Sequence, residues 1–199
     1  MLELKKGCKV PFPERLSEGY KCKERAIFAN VNASKVKDIM RDFILRQKEY
    51  ILFILEVPTS ESDEKKISSD GIKVFHQDVY MMPCREAETA LYILEKYGDL
   101  LITDGMNLFG FRGDKTKNEI TFGKYNVLSI YTKEISAYSE FLEGYGIKQQ
   151  IPLVTAWQTF SAEFRGESRI EKTETGFSIY DIPDQLKDYG MIFVERRER

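Results

Sequence analysis

The chain is 199 residues long, 42% hydrophobic and 13% aromatic, enough to bury a sizeable core, so intrinsic disorder is excluded. Its 30 basic and 32 acidic residues nearly cancel to −2, which leaves no broad basic field for holding phosphates, so no nucleic-acid partner is expected. Cys8, Cys22 and Cys84 fit neither a zinc ribbon nor a C-x-x-C pair and are too sparse for a disulfide scaffold, which reads as reduced thiols in a cytoplasmic protein. The N-terminus, MLELKKGCKVPFPER, has no signal-peptide core, and no apolar stretch approaches about 18 residues, so no membrane association is expected.

Residues 26 to 31 predict a short strand. Asn32 or Ser34 then caps a helix whose apolar positions Val36, Ile39, Met40, Phe43 and Ile44 recur at helical spacing. Its other face, with Lys35, Lys37, Arg41, Arg46 and Lys48, reads as solvated. Residues 50 to 57 form an apolar, β-favouring run ended by Pro58, which predicts a buried central strand. The polar stretch 59 to 71 predicts a flexible loop, and the imperfect alternation over 72 to 82 a strand pairing antiparallel with the first.

Pro83 opens a helix over about 85 to 97, with Gly98 as its stop, and 100 to 102 add a short core element. Strands at 108 to 111, 119 to 122 and 126 to 131, separated by GDKTKN and GKYN, predict a meander. Thr132 caps a third helix carrying Ile135, Tyr138, Phe141, Leu142 and Tyr145, stopped by Gly144 and Gly146. A short helix around Trp157, a hairpin over 169 to 180, a brief helix after Pro183 and a strand at 191 to 194 complete the reading, with ERRER as a solvated tail. Trp157 and Phe53 are expected to be buried. The class is α+β: a largely antiparallel sheet packed against about three main helices, in one domain over 1 to 199 with a flexible loop at about 59 to 71.

No catalytic constellation can be read. His76, the sole histidine, lies on a predicted strand face with Asp78 and has no nucleophile at a recognisable spacing; a pair with Cys84 requires the fold to bring them together. Asp104, Asp114 and Glu119 could centre a carboxylate metal site, but the acid-x-Lys spacing of nucleases fails, because Thr121 follows Glu119 at that distance. Turn duty explains these acids better. Gly105, Gly110, Gly113 and Gly123 form no phosphate-binding motif, so no cofactor and no resident metal are expected.

Surface recognition remains. Between residues 104 and 131 aromatics and charges interleave, and a partner-binding patch is expected at Asp104, Phe111, Arg112, Asp114, Glu119 and Tyr125, although for each ring taken singly core filling is the favoured reading. The segments LEVP at 55 to 58, LLITDG at 100 to 105, FGF at 109 to 111, EI at 119 to 120, KYNVLSIY at 124 to 131 and TAW at 155 to 157 resemble a family of bacterial cytosolic proteins associated with immunity proteins of polymorphic toxin systems. The first 49 residues lie outside this resemblance, and Arg112-Gly113-Asp114 departs from the small continuation expected after FGF. The resemblance implies a protein partner, a toxin domain neutralised by stoichiometric occlusion, with no chemistry by this chain. The alternatives are an enzyme centred on Asp104, Asp114 and Glu119, or a non-catalytic regulatory module.

Overall fold

The computed structural model describes residues 2 to 67 and 75 to 198. In chain order the elements are β1 (Cys8–Lys9), β2 (Gly19–Lys23), β3 (Ala26–Asn30), α1 (Ala33–Arg46), β4 (Ile51–Pro58), α2 (Glu61–Ile67), β5 (His76–Cys84), α3 (Ala87–Thr103), β6 (Leu108–Gly113), β7 (Glu119–Phe122), β8 (Val127–Tyr131), α4 (Ile135–Glu143), β9 (Glu167–Ser168), α5 (Ile182–Leu186) and β10 (Ile192–Glu198). Eight strands form one sheet in the order β10-β5-β4-β6-β7-β8-β3-β2. All its neighbours are antiparallel. β6, β7 and β8 are the expected meander; β1 and β9 pair separately.

Strand alternation divides this sheet into two unlike faces. Ile51, Phe53, Leu55 and Val57 of β4 share a buried cluster with Phe109 and Phe111 of β6, Ile120 and Phe122 of β7, and Leu128 and Ile130 of β8. The stripe Val36, Ile39, Met40, Phe43 and Ile44 of α1 is fully buried in the same cluster, as are the inner residues of α3 and α4. The α+β class with a largely antiparallel sheet on three long helices is therefore the observed architecture. Each fully buried Phe or Leu here contributes about 1.5–3 kcal/mol of burial. Phe53 and Phe111, adjacent on β4 and β6, have ring centroids 5.4 Å apart.

Four local expectations are corrected. Residues 61 to 67 of the predicted loop are helix α2, because Ser60 caps it: the Asp63 N–H donates to Ser60 Oγ at 3.2 Å, and the Glu64 N–H to the Ser60 carbonyl at 2.8 Å. The rest of that loop, 68 to 71, and the start of the predicted strand, 72 to 74, lie outside the described residues. Gly98 does not end its helix. It is buried within α3, where a Cβ would come within 3.3 Å of Leu94 Cδ1 and 3.7 Å of Lys37 Cε of α1, and the helix runs on to Thr103. The predicted last strand runs on through residues 195 to 198 of the tail as β10, which stays largely exposed and is fastened by Arg196 to Asp78 through Nε at 2.5 Å and Nη2 at 2.9 Å. Trp157 sits on a single 3-10 turn (Ala156–Thr159) and is 54% exposed, edge-on to Tyr125.

No helix among the described residues is long and apolar enough to cross a membrane.

Candidate functional site

The second face of the sheet is built differently. The buried side chains of α1, α4 and α5 all belong to the cluster on the first face. Ile54 and Val79, which alternate onto the opposite face, belong to neither buried cluster. Register aligns Met81, Ile54, Gly110, Thr121, Ser129, Phe28 and Lys21 in one row across it. Its middle members, Gly110, Thr121 and Ser129, carry small side chains between the larger Ile54 and Phe28, and we term this low row the trough. Gly110 is required there, since a Cβ would come within 2.0 Å of the Ile120 carbonyl oxygen.

Charges rim this trough on both sides. On one side Glu56 stands two residues after Ile54 and accepts from Arg197 Nη1 at 3.1 Å; Arg197 also holds Glu195 at 2.5 Å. On the other side Arg112 and Glu119 are cross-strand neighbours. Arg112 Nη1 lies 3.9 Å from Glu119 Oε2, too far for a hydrogen bond. The Glu56, Glu119 and Arg112 side chains are only 16%, 22% and 30% exposed. Burial pushes the carboxyl groups of Glu56 and Glu119 above the usual range, more than Arg197 and Arg112 draw them down. The Glu56 carboxylate raises Glu119 further, so the two acids repel across the trough. Arg112 Nε is buried without a hydrogen-bond partner.

Of the six residues expected in a partner patch, this face holds two, Arg112 and Glu119. Three are corrected by burial. Asp104 is fully buried just after α3, where its carboxylate accepts the N–H groups of Met106, Asn107 and Glu171 at 2.7, 3.0 and 2.8 Å. Burial raises its pKa against the pull of those three bonds and of Lys5. Phe111 alternates into the core, and Tyr125 is 5% exposed between Trp157 and Phe160. Asp114 lies in the β6–β7 turn beside Lys117, its N–H donating to the Tyr50 carbonyl at 2.9 Å.

The carboxylate-centred enzyme site does not assemble, because Asp104 and Asp114 flank opposite ends of β6. Among the described residues no group of three His, Cys, Asp or Glu is placed to hold a metal ion. His76 and Cys84 occupy opposite ends of β5, and burial pushes the Cys84 thiol up to about 11. The partner of His76 is instead Glu64 of α2, with Nδ1 2.8 Å from Oε2, a bond that holds the Glu64 carboxyl below its usual range.

Sequence reasoning missed Glu56, Glu195 and Arg197. A glutamate inside the apolar run YILFILEV was a usable signal, since a charge there needs a second face to sit on. No family model, curated protein or solved structure matches the chain.

Proposed function

We propose that the chain is a protein-binding inhibitor of the immunity type, which captures a basic protein partner on the trough of its second sheet face and occludes it. One observation carries this reading: two carboxylates raised by burial, Glu56 and Glu119, lie on one sheet face either side of a row of small residues, with a buried guanidinium nitrogen that has no acceptor among the described residues. An unpaired buried polar atom such as Arg112 Nε costs about 1–3 kcal/mol, so a partner that satisfies it gains what the free protein forgoes. A lysine or arginine of the partner meets the two acids, and a backbone carbonyl meets Arg112 Nε. The acidic rim also draws a basic partner in, raising its association rate.

The test is capture of a stoichiometric partner from the native host, followed by hydrogen exchange on the purified complex. The reading expects new protection in β4, β6 and β7 on the face of Glu56, Arg112 and Glu119. It also expects at least about thirtyfold weaker binding for Glu56→Gln/Glu119→Gln, compared at matched folded fraction, since loss of buried charge pairs costs about 2–5 kcal/mol. Protection confined to another surface, or undiminished binding by the variant, overturns it. So does turnover of a small molecule in a metabolite screen with no partner retrieved.

A further inference from the structure

A second concavity lies at the edge of the helical layer, independent of the sheet trough. It is a cleft of about 480 Å³ between the end of α1 with its following residues, the β6–β7 turn and the first turn of α4. That volume falls within the usual range for small-molecule sites, about 300–1,000 Å³. Its walls are fixed by side chains that span these three pieces of chain. Glu49 accepts the N–H of Lys115, the N–H of Thr116 at 3.1 Å and the Thr116 hydroxyl at 2.6 Å, which locks the turn against the end of α1. Asn118 donates to Glu134 at 3.1 Å and accepts from Thr132 Oγ1 at 2.8 Å, tying the turn to the start of α4. Beneath them the buried Gln47 donates to the Tyr138 hydroxyl at 3.1 Å.

The charges of this cleft are not balanced in the same way. Both acids in its lining are committed, Glu49 to the turn and Glu134 to Asn118. Although desolvation opposes it, the Thr116 and Lys115 hydrogen bonds and the Lys115 charge hold the Glu49 carboxyl below its usual range, so it is an ionised acceptor for the turn. Arg46, Lys48 and Lys115 also line the cleft, and among the described residues none of the three has an ion pair. Arg46 lies over the Phe141 ring at 4.5 Å, which orients the guanidinium plane. Three cations and two hydrogen-bonded acids thus surround one concavity, which leaves it a positive excess in a chain of net charge −2.

We propose that this cleft is a binding site for a small molecule carrying a phosphoryl dianion, held by Arg46, Lys48 and Lys115. An arginine fork with two lysine point charges matches a group of two charges and three terminal oxygens, whereas a lone carboxylate leaves one cation unused. A nucleic-acid backbone is not the fit, because the three cations surround one concavity and do not run along a track.

Calorimetric titration of the full chain in chloride buffer at low salt tests this, with inorganic phosphate, a sugar monophosphate and acetate as separate probes. Saturable binding of phosphate or of the sugar monophosphate is expected, tighter for whichever is the natural source, and weaker for acetate by about tenfold or more. Lys48 and Lys115 are exposed, so Lys48→Ala/Lys115→Ala leaves folding intact and is expected to weaken phosphoryl binding by at least about tenfold. Absence of saturable phosphoryl binding overturns the proposal, as does equal affinity for acetate or an undiminished affinity in the double variant. None of these outcomes bears on the protein-binding trough, whose residues are untouched.

Discussion

Gly7 and Gly105 meet backbone to backbone: a Cβ on Gly105 would lie 2.0 Å from the Gly7 carbonyl oxygen, and one on Gly7 would lie 2.3 Å from Gly105 N. Arg169 stitches the pair, its N–H donating to Gly7 O at 2.9 Å and its carbonyl accepting from Gly105 N at 3.0 Å. Three distant segments converge where neither glycine has room for a methyl group. Gly105→Ala is therefore expected to cost about 2–3 kcal/mol, read as a lowered urea midpoint, because rigid backbone atoms must give way. An unchanged midpoint would show that the approach is looser than this.

Lys5 is buried over the Phe122 ring, its Nζ 3.2 Å from the Gly123 carbonyl and 4.8 Å from the ring centroid. Burial lowers its pKa to about 8, against the opposing pull of Cys8 and Asp104. The unfolded chain thus binds more protons between about pH 8 and 10.5, and the contribution of this group to stability rises with pH across that window. Below pH 8 the full penalty is present, on the order of 3 kcal/mol. Cys8, whose raised pKa acts in the opposite sense, is coupled to Lys5, so the comparison is made in a Cys8→Ala background, where the difference between the Lys5 and Lys5→Met stability–pH curves reports the lysine. The variant's advantage is expected to be largest near neutral pH and to shrink towards pH 10.5.

Phe53 is fully buried while Trp157 is 54% exposed, so the two largest-looking anchors differ in weight. Phe53→Ala is expected to cost about 3–5 kcal/mol in chemical denaturation. Trp157→Ala is expected to cost less than about 1.5 kcal/mol, and equal losses would contradict the placement of the core.

A Cβ at Gly113 would lie 2.5 Å from both Glu49 Oε1 and Thr116 Oγ1. The Glu49 carboxylate can yield only by giving up a hydrogen bond to the turn, so Gly113→Ala is expected to cost about 1 kcal/mol. Its signature is local: faster amide exchange at Lys115 and Thr116, the two N–H groups that Glu49 accepts from.

The elements most legible in the sequence were those whose burial pattern is local. The helical stripe from Val36 to Ile44 and the β run from Ile51 onward each declare their buried face within one element, and so does the meander. The candidate trough was legible only in part, because it is made by register among Glu56, Arg112, Glu119 and Arg197, residues up to 141 positions apart. Nearness in sequence misled the expected patch: Phe111 and Arg112 are neighbours in the chain, yet the period of a strand sends one into the core and the other to the opposite face. The Ser60-x-x-Asp63 cap of α2 was a readable signal obscured by the polarity around it.

The order of strands carries a consequence for how the protein reaches its native state. The run β4-β5 and β6-β7-β8 closes from near neighbours, but β3 joins the sheet by pairing Ala26 with Tyr131, and β10 by pairing Glu198 with His76. Both flanks of the sheet therefore depend on loops of about a hundred residues closing, an entropic cost that must be met before those ladders return any stability. Folding is accordingly slow for a chain of this size, with the central ladder forming early and the β2–β3 hairpin and β10 docking late from opposite sides. During that interval the edges of β8 and β5 stand open to intermolecular pairing, so the yield of refolding falls as protein concentration rises.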